Sequence, residues 1–194
     1  MIKLFSDDNW LLDKVLNLMA QQGLRLSNNS DPKSFLNISF KNSLDIIDVR
    51  CGKEIIKFNK PVNFFEMYSK IVHLSLEVCI EFHELKYFPF KSCISNHSSK
   101  TYLGEKHNSI LSLLLIYENK GINKFDLYKN IWPEDVEIQI NKLDTHLTNL
   151  KKLLDTELNY NLKSKSVKNN LKLIIDLYFS FSRMIRWRDN SSFF

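Results

Sequence analysis

"NKLDTHLTNLKKLL", residues 141–154, places leucines at i, i+4, i+7 and i+11: Leu143, Leu147, Leu150 and Leu154. At 3.6 residues per turn this spacing is one apolar stripe along a helix that buries one side. Asn141, Thr145, Thr148 and Lys152 repeat the same spacing on the opposite side. A face needed only for solubility usually carries Glu and Lys. This one carries Thr, Asn, His and Lys, with acids only at Asp144 and Asp155. That mixture suits hydrogen bonding to bases and phosphates. It also occurs on inert helices, so its surroundings decide its meaning.

Those surroundings are basic. Residues 141–172 hold seven lysines (142, 151, 152, 163, 165, 168, 172) against Asp144, Asp155 and Glu157, although the whole chain carries only +5. Positive charge concentrated beside a polar helix face is the footprint expected of a nucleic-acid partner. The bland alternative is a solvated lysine-rich surface.

The rest of the composition narrows the class. A chain of 194 residues has room for one generous core or two small domains, and 44% hydrophobic with 12% aromatic content supports folding. Cys51, Cys79 and Cys93 have neither CxxC spacing nor a nearby His pattern, so reduced thiols in a cytoplasm fit better than zinc or a disulfide framework. "MIKLFSDDNW" (1–10) does not read as a signal peptide, and no stretch approaches about 20 uncharged apolar residues, so no membrane span is expected. His73, His83, His97 and His107 share no spacing, and there is no Gly-rich phosphate loop and no G-x-S-x-G turn. The chain therefore reads as non-enzymatic, with no cofactor and no metal.

Along the chain, residues 2–5 read as a short strand, Asp7 and Asp8 as an acidic turn, and Leu11 to Met19 as an amphipathic helix stopped at Gly23. "RLSNNSDPKS" (25–34) is loop-like, "LDIIDVR" (44–50) and "EIIKFNKP" (54–61) read as strands, and a helix follows through Phe64, Tyr68, Ile71 and Leu76. After Glu77 the texture changes. Residues 79–103 alternate as a small antiparallel sheet does, with Ile80 and Phe82, then Leu85 and Tyr87. Helices are expected over 108–121, 124–132 and 141–154. A hairpin is expected around Asn169-Asn170, where Asn tolerates a positive φ.

Sheet, three helices and hairpin, in that order, describe a winged helix. Residues 79–175 resemble the DNA-binding domain of the OmpR/PhoB family of response regulators. The matching stretches are Leu103 with "ILSLLL" (110–115), "NKGIN" with "FDLYKNIW" (119–132), and "DTHLTNLKK" (144–152), which fits a D-x-H-[IL]-[ST]-x-L-[RK]-K pattern. The resemblance implies that the 141–154 helix enters the major groove of double-stranded DNA. Thr145, Thr148 and Asn149 would face bases, and Asn141, Lys142, His146, Lys151 and Lys152 would lie beside them or near phosphates. Lys165 and Lys168, at the hairpin tip, would approach the minor groove or backbone. The family usually has arginines where this chain has Asn141, Thr148 and Asn149, and a Gly-x-Gly-Tyr wing where it has "KNNLKL" (168–173).

The N-terminal part is similar to a shortened receiver domain: first strand, acidic pair and first helix, then last strand, Lys60-Pro61 turn and last helix. The resemblance makes Asp48 the candidate phosphoacceptor and Asp7 and Asp8 the candidate magnesium-binding acids, with Lys60 in the same cleft. Use of those acids as turns and caps is the competing expectation. The expected organisation is α+β: a degenerate receiver-like domain over 1–77, a winged helix over 79–175, and a C-terminal extension over 176–194. The expected function is that of a cytoplasmic DNA-binding transcriptional regulator, independent of phosphorylation and dimerising through its first domain. The alternative is a protein-interaction or assembly factor that keeps the scaffold without reading DNA.

Overall fold

The computed structural model describes residues 2–21, 34–51, 54–167 and 169–174, with the backbone of 185–186. It divides into two units, the first running to Val78 and the second beginning at Cys79.

Strict alternation builds the sheet of the first unit, from β1 (Ile2–Ser6), β2 (Leu36–Asn42), β3 (Ile46–Cys51) and β4 (Glu54–Asn59). Strand order is β1-β2-β3-β4, with β1 and β2 parallel and the remaining pairs antiparallel. Ile2, Leu4, Leu36, Ile38, Phe40, Ile47, Val49 and Cys51 are buried on one face, which gives these strands their register. Leu11 of α1 (Asn9–Gln21) and Phe64 and Met67 of α2 (Phe64–Leu76) line one cavity with Ile47, so both helices lie on that face. Burial there pushes the Cys51 thiol up to about 12. On the other face Asp48 stands between Lys41 and Lys57, and Phe5 and Ile55 are exposed.

This architecture keeps part of the receiver resemblance and corrects the rest. Strand, acidic turn and helix follow as expected. The sequence reading assigns no element to 36–42, where β2 forms, although Leu36, Ile38 and Phe40 alternate with polar residues. Beyond β2 the chain leaves the parallel, doubly wound sheet of a receiver. Only residues 43–45 join β2 to β3, and only 52–53 join β3 to β4. Parallel neighbours need a crossover of about a dozen residues, so these short links make antiparallel hairpins.

Asp48, the candidate phosphoacceptor, takes the sheet face opposite the Asp8–Lys60 cavity. Ile47 and Val49 point to the buried face, and the two-residue period sends Asp48 to the opposite one. Asp8, Asn42 and Lys60 line the cavity on the buried side. Asp7 Oδ1 accepts from the Asn42 backbone N–H at 3.1 Å, while Asp8 accepts from Leu11 N at 3.1 Å and Asn42 Nδ2 at 2.7 Å. The Leu11 N–H bond, more than any other contact, holds the Asp8 carboxyl below the usual carboxylate range. Asp7 and Asp8 are thus a turn acid and a helix cap, and Asp48 does not share their cleft. Among the described residues no group of three His, Cys, Asp or Glu side chains is placed to hold a metal ion.

The second unit is a winged helix. Strands β5 (Cys79–Phe82), β6 (Leu85–Phe88), β7 (Cys93–Ser95) and β8 (Lys100–Tyr102) form an antiparallel meander, with the alternating residues Ile80, Phe82, Leu85 and Tyr87 all buried. Next come α3 (Glu105–Ile116), β9 (Ile122–Asn123), α4 (Lys124–Ile131), α5 (Ile140–Leu158) and the hairpin β10 (Ser164–Val167) with β11 (Asn170–Leu173). The hairpin pairs onward with β9, and Asn169 in its turn takes φ 66°. A two-residue strand, β12 (Ile185–Arg186), adds to the outer side of β5, so part of the expected C-terminal extension completes the first sheet of this unit.

The central helix α3 is buried along Ile110, Leu111, Leu113, Leu114, Leu115 and Ile116. Tyr87 ties the meander to it, its Oη lying 2.6 Å from both Asn108 Oδ1 and Ser112 Oγ. Among the described residues no helix is long and apolar enough to cross a membrane.

Candidate nucleic-acid interface

Helix α5 spans 19 residues, about 28 Å at 1.5 Å per residue. Leu143, Leu147, Leu150, Leu154 and Leu158 are buried, which is the stripe read from the sequence extended by one more turn. Asn159 ends the helix in the left-handed region at φ 51°, and Tyr160 N donates back to Leu154 O at 3.2 Å. Asn96, in the turn between β7 and β8, donates its Nδ2 to Leu158 O at 2.9 Å. Leu154 O and Leu158 O are therefore satisfied from two directions, and the Asn96 bond ties the helix end to the sheet.

The opposite face is open. Asn141, Thr145, Thr148, Asn149 and Lys152 are all exposed, and Lys151 is half-buried on the flank. Asp144, at one edge of this row, is bound by Lys124 Nζ at 2.6 Å, an ion pair that also clamps α4 to α5. The first turn of α5 contains no acid, and its leading residue Gln139 makes no side-chain cap. The Lys142 N–H is taken by Gln139 O at 3.0 Å, and the helix dipole makes this the end where an anion is favoured.

Two residues expected near phosphates have other partners. The Lys142 ammonium lies 2.7 Å from Asp135, 4.8 Å from the centre of the Trp132 ring and 5.9 Å from that of Tyr128. Tyr128 Oη donates to the same carboxylate. Lys142 above all, then Tyr128, holds the Asp135 carboxyl below its ordinary range, and Asp135 in turn raises the Lys142 ammonium. This knot fastens the α4–α5 loop to the start of α5. His146 packs between Trp132, at 5.2 Å between ring centres, and His107 of α3, at 5.5 Å. Burial, and secondarily His146, lowers the His107 imidazole.

The hairpin supplies a second polar element. Lys165 is exposed, as is Val167 near the tip, and Lys172 donates to Asn119 O at 3.0 Å. Lys168 lies outside the described residues. The structure therefore brings Asn141, Thr145, Thr148, Asn149 and Lys152 onto one open face with Lys151 on its flank. It places Lys142 and His146 on the side turned to the loop and to α3. The sequence reading missed Asp135, Tyr128, Lys124 and His107 as partners of α5. Only Asp135 and Tyr128 had a signal, as a polar pair flanking Trp132-Pro133.

No family profile and no curated protein sequence matches this chain. Among solved structures, 52% of the chain aligns with 94% of the DNA-binding domain of Escherichia coli CadC at 17% identity, with a TM-score of 0.45. Half of it, 50%, aligns with 95% of the Klebsiella pneumoniae RstA DNA-binding domain in complex with the RstA box, at 18% identity and TM-score 0.41. A member of a streptococcal family of redox sensors evolved from two-component response regulators aligns over 90% of this chain and 67% of its own, at 14% identity and TM-score 0.43.

Proposed function

We propose that the second unit binds double-stranded DNA and that the protein is a transcriptional regulator acting without phosphorylation. One observation carries this reading: a helix with a buried leucine stripe leaves its entire Asn-Thr-Lys row exposed, with Asp144 at its edge paired to Lys124. A helix of this diameter fits the major groove, where exposed amides and methyl groups meet base edges. Lys151 and Lys152 on α5, with Lys165 on the hairpin, supply phosphate contacts. Asn141 and the uncapped start of α5 add neutral donors, as helix N-termini do for phosphate. Lys142 and His146 act by positioning: they hold the helix against Asp135, Trp132 and His107 rather than reaching DNA themselves. Support for phosphorylation independence comes from Asp48, which lies on the sheet face opposite the cavity lined by Asp8 and Lys60.

Mobility-shift titration across salt concentrations tests the proposal. Three lysine contacts correspond to a log–log slope of about −2.7. Replacing Lys151 and Lys152 together by Glu should weaken binding at least tenfold at low salt. Binding that is undetectable at low salt, or unmoved by the double substitution, would refute it.

The open sheet face of the first unit, with exposed Phe5 and Ile55, supports a role in pairing two copies. Two-fold pairing would set two α5 helices on half-sites about 34 Å apart. The absence of arginines at 141, 148 and 149 favours a second reading, a protein-interaction factor that keeps the scaffold. That reading predicts no retention on DNA and a stoichiometric protein partner bound through the first unit.

A further inference from the structure

Thr145 and Thr148 are neighbours on the exposed face of α5, and both hydroxyls are turned into the helix. Thr145 Oγ1 donates to Asn141 O at 2.8 Å, and Thr148 Oγ1 donates to Asp144 O at 2.9 Å. A hydroxyl has a single hydrogen, so neither threonine retains a donor for an outside partner. What each still offers is a methyl group and acceptor lone pairs. Asn149, exposed beside them, offers a donor and an acceptor in one plane.

These groups match the base pairs unequally. Guanine presents two acceptors, N7 and O6, and would meet no donor from either threonine. Adenine presents N7 as acceptor and its N6 amino group as donor, which together match one carboxamide. Thymine presents the C5 methyl, the one apolar group on the major-groove edges. Cytosine shares the threonine acceptors with adenine but has no methyl to pack. We propose that α5 selects A·T pairs, with the Thr145 and Thr148 methyl groups packed on thymine methyls and Asn149 paired with adenine. This rests on α5 entering the major groove.

The test uses the full chain and three duplexes of equal length, made of alternating dA-dT, alternating dA-dU and alternating dG-dC. Binding is followed by fluorescence anisotropy at one fixed salt concentration. The dA-dT duplex should bind about tenfold more tightly than dG-dC. Uracil differs from thymine only by the C5 methyl, so dA-dU should bind more weakly than dA-dT by about fourfold for each thymine methyl contacted. Thr145→Val with Thr148→Val keeps the methyl groups and exchanges the internally engaged hydroxyls for further methyls, so it should preserve the thymine-over-uracil preference. Thr145→Ser with Thr148→Ser keeps the hydroxyls and should erase that preference. Asn149→Ala should lower dA-dT affinity while leaving the thymine–uracil difference in place.

Equal binding to dA-dT and dA-dU overturns this inference and leaves groove binding standing. A preference retained by the serines and lost in the valines overturns it as well, because the hydroxyls would then be reading. Failure to bind any of the three duplexes overturns the groove reading itself, and this inference with it.

Discussion

Gly121 holds φ +72° in the turn leading into β9, and its N–H donates to Tyr117 O at 2.7 Å. A Cβ there would stand 3.2 Å from Leu171 O of the hairpin, so both the backbone angle and the space favour glycine. Gly121→Ala should destabilise the chain by about 1–2 kcal/mol, seen as a lower midpoint in urea unfolding; an unchanged midpoint would show that the turn relaxes without cost. At this scale the leucines of α5 were legible because each announces its side by spacing alone. Lys142 and His146 were not, since their roles depend on Asp135 and His107, which no periodicity places beside them. The backbone bonds of Thr145 and Thr148 were equally hidden: a threonine on a polar face looks the same in sequence whether its hydroxyl points out or in.

Elements meet through these hidden contacts, and two of them are testable. His107 of α3 and His146 of α5 face one another at 5.5 Å, with Trp132 on the far side of His146. His107 takes up a proton less readily in the folded chain than in the unfolded one, whose ordinary value is 6.5. The unfolded state therefore binds more protons below about pH 6.5, and stability falls as pH drops from there through the lowered folded value. The thermal midpoint should decline between pH 7 and pH 5, and His107→Gln should flatten the decline; an equal decline in both proteins would remove His107 as its source. The second contact separates positioning from DNA contact. Lys142→Met should lower the thermal midpoint and leave the salt slope of DNA binding intact, because its ammonium is held by Asp135. Lys152→Met should leave stability alone and reduce the slope by about 0.9. The reverse pattern would exchange their roles.

Element boundaries show where sequence reasoning stops. Helix α3 begins at Glu105, behind Gly104, rather than at 108. Helix α5 runs on to Leu158 because that leucine continues the stripe and Asn159 accepts the left-handed stop. Strand β12, at Ile185–Arg186, consists of two residues whose state is set by pairing with β5, not by any pattern of their own.

Across the whole molecule, the order sheet, three helices, hairpin was legible because each element of the second unit has its own period. In the first unit the strands at 2–5, 44–50 and 54–61 were legible, but their direction was not, because strand identity says nothing about it. Direction lay in the linkers: three residues between β2 and β3, and two between β3 and β4, cannot make a parallel crossover. The two-residue period of β3 sets Asp48 on the face opposite the cavity lined by Asp8 and Lys60.

The most direct measurement is photocrosslinking of the full chain to an A·T-rich duplex carrying 5-iodouracil, whose iodine occupies the thymine methyl position in the major groove. Mass spectrometry of the tryptic digest should find the DNA attached to the peptide Leu143–Lys151. Retention of the duplex with crosslinks confined to other peptides would contradict the placement of α5 in the groove.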